Sequence, residues 1–286
     1  MLFSLKGVIM KVAFAHGGSV EQMMAYRMGI ALPFFVAVGI WSRRRSTSPL
    51  SSRFAMFAAL LGILSYYICT WLDFTGLQYV SAQLERLILF LYPTITALLA
   101  WIFLKDHISW RHGAALALSY TGVAILALQE YENLGPNVVL GSGFVFLAAV
   151  LYAGFVTAAK PVITQMGSAL FTSIAMSAAS IIIIAHFLIV LDHHQVPMES
   201  PILWGLGAFL AIPCTVLPSF MITEAINRIG PGLTSAIGGL GPAATAIFAV
   251  IILNEPFGWP HVFAMMLTMS GIYMLSRAST NVTAQP

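Results

Sequence analysis

Five ionisable residues stand where an apolar chain would normally carry none. Lys6, Arg27, Asp73, Glu85 and Arg86 lie inside, or at the ends of, long hydrophobic runs. A charge held within a membrane is expensive, so it faces a partner, a cavity or an ion path. Three cations against two anions leave one surplus positive charge, suited to drawing in a carboxylate or another anionic group. The alternative is mutual ion pairing, with the long side chains snorkelling toward the interface. Two prolines form a second candidate feature. Pro93 follows Tyr92, and Pro242 follows Gly238, Gly239 and Gly241. Proline removes a backbone donor and frees a carbonyl, so Tyr92, Pro93, Gly241 and Pro242 could border a gap at mid-membrane; simple kinks or close small-residue packing would explain them equally. Glu224 is a weaker candidate, for proton coupling, because it falls near a span end. Lys160 reads as an interface anchor, His186 as a packing residue, and Cys69 and Cys214 as apolar packing without metal-ligand spacing.

The rest of the chain must place these groups. Of 286 residues, 59% are hydrophobic and 8% charged, against about 25% charged in a soluble domain. Most of the surface must therefore face lipid. A span needs about 20 apolar residues, and nine runs qualify: 20–41, 54–77, 82–104, 110–128, 138–159, 167–191, 202–226, 231–252 and 259–276. A tenth, 1–15, is shorter than a full span and suggests a start site upstream. Runs this long exclude an alternating β-barrel pattern. Tryptophans 41, 101, 110, 204 and 259 sit near span ends, as interface anchors do.

Basic loop residues set an orientation. Arg43, Arg44, Arg45, Arg53, Lys105, Arg111, Lys160, Arg228 and Arg277 fall on one side if the spans alternate, while the opposite loops carry Glu21, Glu130, Glu132, Asp192, Glu199 and Glu255 and no Lys or Arg. Cytoplasmic loops are enriched in Lys and Arg, so the C-terminus is expected in the cytoplasm, with the five buried charges in the outer half of the membrane.

Displaced by 149 residues, the chain matches itself without a gap. Lys11, Gly18, Pro93, Thr96, Trp110, His112 and Gly122 fall on Lys160, Gly167, Pro242, Thr245, Trp259, His261 and Gly271. Apolar composition alone would rarely align Lys, Pro, Trp and His in one register. Each copy holds five spans, an odd number, so the second enters the membrane from the opposite side. The expected fold is all-α: ten transmembrane helices, the first N-terminally truncated, as two inverted five-helix repeats at 1–128 and 138–277, followed by a cytoplasmic tail at 278–286. Inverted repeats let one midplane site open to either side in turn.

The segments FSLKGVIMK, AYRMGIALPF, LQYVSAQLERLILFLYPTITALLAWIFLKDHISW and INRIGPGLTSAIGGLGPAATAIFAVIILNEPFGW resemble the drug/metabolite transporter superfamily, in its EamA-type ten-helix form. The family's acidic residue after spans 4 and 9 has counterparts in Asp106 and Glu255. The resemblance implies export or uptake of small metabolites, such as amino acids or related compounds, along a path lined mainly by helices 1–4 and 6–9, in a bacterial inner membrane. It implies a small-molecule substrate and the lipid bilayer as partners, with no cofactor, metal or nucleic acid, and leaves homodimerisation open. No HExxH, GxSxG or membrane-embedded paired-Asp motif and no Walker A loop is present, which argues against an intramembrane enzyme and against ATP-driven transport. A membrane scaffold without transport remains the alternative function.

Overall fold

The computed structural model describes residues 4–45, 51–104, 110–191, 200–237 and 241–282. Thirteen α-helices occupy them: α1 (Leu5–Ala15), α2 (Val20–Arg45), α3 (Ser52–Gly62), α4 (Cys69–Leu77), α5 (Ala82–Leu89), α6 (Tyr92–Leu104), α7 (Trp110–Leu134), α8 (Asn137–Met166), α9 (Ser168–Leu191), α10 (Pro201–Ala211), α11 (Leu217–Ile237), α12 (Gly241–Leu253) and α13 (Trp259–Val282). Among the described residues there is no strand. In hydrocarbon a helix satisfies its own backbone donors and acceptors, which is why apolar runs of this length fold this way. Among the described residues seven stretches are long and apolar enough to cross a bilayer: Val20–Arg45, Ser52–Leu77, Ala82–Leu99, Gly113–Leu134, Asn137–Met166, Ser168–Ile189 and Pro201–Gly230. The chain is a multi-pass membrane protein.

Three spans are interrupted. Between α3 and α4 the backbone widens into a π-helical segment, Ile63–Ile68, and between α10 and α11 into another, Ile212–Val216, which contains Pro213. The expected span 82–104 breaks at Phe90–Leu91, two residues before Pro93, so that α5 and α6 are separate helices. Pro93 then stands in the first turn of α6, where its missing N–H leaves no gap in the ladder. α11 turns sharply at Gly230 (φ 81°, ψ 168°), a conformation open to glycine. α8 extends to Met166 and α13 to Val282, so the first five residues of the expected tail are helical. Lys105, Asp106, Asp192, Glu199, Gly238 and Gly239 lie outside the described residues.

Element boundaries repeat at the same interval as the sequence. Tyr92 and Gly241 open α6 and α12, Leu104 and Leu253 close them, Trp110 and Trp259 open α7 and α13, and Ile63 and Ile212 open the two π segments, each pair 149 residues apart. α7 and α13 pack directly on each other. Gly122 meets Ala264 and Thr268, while Gly271 meets Ala115 and Ser119. Ser119 Oγ donates to Thr268 O (3.5 Å) and Thr268 Oγ1 to Ser119 O (3.4 Å). Contacts climb one helix as they descend the other, so the two helices run antiparallel and cross near Ser119 and Thr268. A Cβ on Gly122 would stand 2.5 Å from Ala264 O, and one on Gly271 2.5 Å from Ala115 O; the close approach requires glycine at both positions.

The buried core mixes residues from both halves of the chain. One cluster joins Met10, Met24 and Phe74 to Met176, Leu203 and Ala249; another joins Leu84, Ile88 and Leu126 to Val145 and Ala264. The outer surface shows Ile40, Leu60, Leu128, Ile189, Met221 and Ile251. An apolar exterior of that extent belongs against lipid. Trp110 and Trp259 are both 75% exposed, as fits anchors at a membrane boundary.

Candidate functional site

α1, α4 and α5 bring four of the five charges together. Lys6 Nζ lies 2.6 Å from Asp73 Oδ2, with both side chains almost fully buried. On α5, Arg86 Nε approaches Glu85 Oε2 to 3.8 Å, an ion-pair distance too long for a hydrogen bond. The Glu85 carboxyl also lies alongside that of Asp73. Gly7 makes room for it, since a Cβ there would stand 2.9 Å from Glu85 Oε2. Arg27, on α2, reaches the same region at Phe74. Its Cζ is 5.3 Å from that ring's centroid and Lys6 Nζ is 4.9 Å from it, so two cations approach one buried aromatic ring.

Hydrogen bonding inside this cluster is incomplete. Arg27 Nε and Nη2, Asp73 Oδ1 and both Glu85 oxygens are buried without a hydrogen-bond partner. Polar atoms in that condition cost free energy, and a guanidinium with unmatched N–H groups is a ready receptor for a carboxylate. α2 adds Gln22, whose Nε2 donates to Tyr26 Oη (3.1 Å), while Tyr26 stacks on Trp204 at 4.0 Å between centroids.

The π segment and the α5–α6 break gather an aromatic group beside the charges. Tyr92 meets Tyr152 edge-on at 4.9 Å, Tyr152 stacks on Phe155 at 5.9 Å, and Tyr66 meets Phe155 at 5.5 Å. A π turn inserts a residue and so re-aims the side chains that follow; here it turns Tyr66 toward α8 and toward Ser219 of α11. Arg86 lies within electrostatic range of Tyr152. Sequence reasoning had named only Tyr92 of this group. Tyr66 and Tyr152 were legible in one respect: both sit mid-span, far from the boundary belts that tyrosines favour.

The other named residues lie apart from the cluster. Gly241 stands beside Ser4, with 3.6 Å from a would-be Cβ to Ser4 Oγ, and Thr245 Oγ1 donates to Ser4 O (2.9 Å). Pro242 is buried at the start of α12, and Pro93 is buried at the start of α6. Glu224 is half-exposed: it accepts from Ser168 Oγ and pairs with Arg228 Nε at 2.5 Å. Lys160 Nζ caps backbone carbonyls, Ile226 O at 3.1 Å and Asn227 O at 2.5 Å.

Two carboxylates missed as site residues hold the N-terminus of α5. Glu130 accepts from Ser81 N–H (3.0 Å) and from Ser81 Oγ. Glu255 accepts from Ala82 N–H (2.8 Å) and Gln83 Nε2 (3.3 Å). Acidic groups at a helix N-terminus satisfy its orphan donors and its dipole. Glu130 comes from α7 and Glu255 from the segment that follows α12, so the helix that bears Glu85 and Arg86 is tied to both.

Comparison with known proteins bears on this arrangement. The profile of the EamA-like transporter family matches residues 1–128 and 139–277. The uncharacterized transporter YcbK of Bacillus subtilis (strain 168) is 26% identical over 263 residues, covering 90% of this chain and 83% of that protein. The uncharacterized transporter YyaM of the same organism is 28% identical over 278 residues, covering 92% and 88%. A protein of Chlamydia muridarum (strain MoPn / Nigg) named as an S-adenosylmethionine/S-adenosylhomocysteine transporter is 22% identical over 255 residues, covering 86% and 80%. A solved crystal structure, 14% identical, superposes with a TM-score of 0.68 over 100% of this chain and 95% of that one, so the two share a fold.

Proposed function

The chain belongs to the EamA-like transporter family, and from that premise we propose that it is a secondary transporter of small metabolites bearing an anionic group, such as amino acids or related compounds. The observation that carries this reading is Arg27: a buried guanidinium with two unpartnered nitrogens beside a cluster in which two cations face two carboxylates, so that it supplies the surplus positive charge. A carboxylate entering there would gain charge-assisted hydrogen bonds that the protein itself does not supply. Tyr66, Tyr92 and Tyr152 would offer faces to the remainder of the substrate. The Chlamydia relative is named as a transporter of S-adenosylmethionine and S-adenosylhomocysteine, each of which carries an amino-acid carboxylate.

We infer ten spans in two inverted copies, 1–128 and 138–277, enclosing a shared path that opens alternately to each side. Support comes from the coincidence of element boundaries at an interval of 149 and from the antiparallel, reciprocal packing of α7 and α13. Nine basic residues in alternate loops, against none in the others, favour a cytoplasmic C-terminus in a bacterial inner membrane.

Purified protein in liposomes, offered a panel of radiolabelled amino acids, other carboxylates and cationic drugs, tests the proposal. Carboxylates are expected to accumulate and cations to be excluded. Arg27→Ala and Lys6→Ala should each abolish flux while the protein remains folded; full activity in both variants would refute the reading.

A further inference from the structure

Glu85 is the group in this cluster whose surroundings suit a carboxyl that gains and loses a proton. It is completely buried. Neither of its oxygens accepts a hydrogen bond. The charged groups that face it are Lys6 and Lys11 on α1, Asp73 on α4 and Arg86 beside it on α5. None supplies it with a donor: Arg86 Nε stops at 3.8 Å, and the Lys6 ammonium is committed to Asp73 Oδ2 at 2.6 Å. A fully buried carboxylate without donors is costly, whereas the neutral acid is tolerated. The acid form would also have a partner, because the neighbouring Asp73 carboxylate keeps Oδ1 without a donor. Two adjacent carboxyls sharing one proton is a stable arrangement.

We propose that Glu85 carries the coupling proton, and that this proton and an anionic substrate bind together, making the chain a proton–anion symporter. The proposal rests on the transporter reading above and names the ion that drives it. Its sign follows from charge. With Glu85 ionised the five groups sum to one positive charge; with Glu85 neutral they sum to two. Adding the proton strengthens the pull on an anion at Arg27, and by linkage a bound anion strengthens retention of the proton. Both then leave together on the other side, with no bond made or broken other than the O–H of Glu85. Gly7, whose hydrogen admits the Glu85 carboxyl, positions the acid rather than touching the substrate.

Infrared difference spectra of the full chain in lipid vesicles, recorded through a pH series, test the proton site without any substrate. The wild type should show the C=O stretch of a buried protonated carboxyl that disappears at alkaline pH, and Glu85→Gln should lack it. Absence of the band from wild type, or its persistence in a folded Glu85→Gln, overturns the proposal. If Glu85→Gln does not fold, Glu85→Asp keeps the acid but withdraws it by one methylene, and must shift the band. Coupling is read in liposomes with the carboxylate panel: KM should rise with pH by up to about tenfold per unit, and an inward proton gradient should drive uptake. In Glu85→Gln, flux of any size should ignore the gradient. Gradient-independent flux in wild type overturns symport. Absence of all flux in wild type instead defeats the transporter reading, while the infrared band still decides where the proton sits.

Discussion

Lys6 and Asp73 allow a worked stability prediction. Their charged atoms are 2.6 Å apart, with side-chain exposures of 6% and 2%. At an effective dielectric constant of about 20, that attraction is worth roughly 6 kcal/mol. Removing two ions from water costs several kcal/mol each, so the intact pair contributes little net stability. Removing one partner is different, because it strands the other charge. Such a break costs about 3–5 kcal/mol. Here the lower end applies, since Arg27 and Arg86 remain within range of Asp73 when Lys6 is lost, and Glu85 remains within range of Lys6 when Asp73 is lost. Lys6→Met and Asp73→Leu should therefore each destabilise by about 3 kcal/mol, while the double variant should recover most of that loss. Thermal denaturation in detergent, followed by size-exclusion of the surviving fraction, ranks the four proteins. The order expected is wild type, double variant, then the two singles together. Strictly additive losses, with a coupling below about 0.5 kcal/mol, would show that the pair does not act as a unit and would undo the reasoning.

Two further outcomes follow from contacts elsewhere. Gly122→Val or Gly271→Val should push α7 and α13 apart, because the added Cβ meets a backbone carbonyl at 2.5 Å; overpacking of this kind costs about 1–3 kcal/mol, visible as a lower detergent melting temperature, with Gly113→Val, which meets nothing within 4 Å, as the unaffected control. Glu255→Ala should loosen the N-terminus of α5 by about 1 kcal/mol and speed amide exchange at Ala82, with unchanged exchange there counting against the cap.

How much of this could be read from residue order varies with the physics involved. Helical spans were legible because bilayer thickness dictates run length and leaves few alternatives. Lys, Pro, Trp and His recur in register at an interval of 149 in the sequence, and the helix ends and π segments recur at the same interval. The five ionisable residues stood out by cost alone, and the structure places Lys6, Asp73, Glu85 and Arg86 in one cluster with Arg27 across Phe74. The first π segment left no compositional trace, since inserting one residue into a helical turn changes hydrogen-bond register and not hydrophobicity, whereas Pro213 marks the second. The break at Phe90 was misplaced onto Pro93 for a related reason: proline at the start of a helix reads identically to proline within one. The carboxylates of Glu130 and Glu255 looked like loop charges because their partners at Ser81, Ala82 and Gln83 are supplied by tertiary packing, 49 to 173 positions away.

The meeting of α7 with α13 ties the histories of the two halves together. Ser119 touches Thr268, the residue 149 positions on, while Ala115 touches Gly271 and Gly122 touches Ala264 and Thr268. A bulkier side chain arising at position 122 can be accommodated only by shrinkage near 264 or 268, and one at 271 only by shrinkage near 115 or 119. Along this seam neither helix can drift alone, so substitutions there should be inherited as compensating pairs.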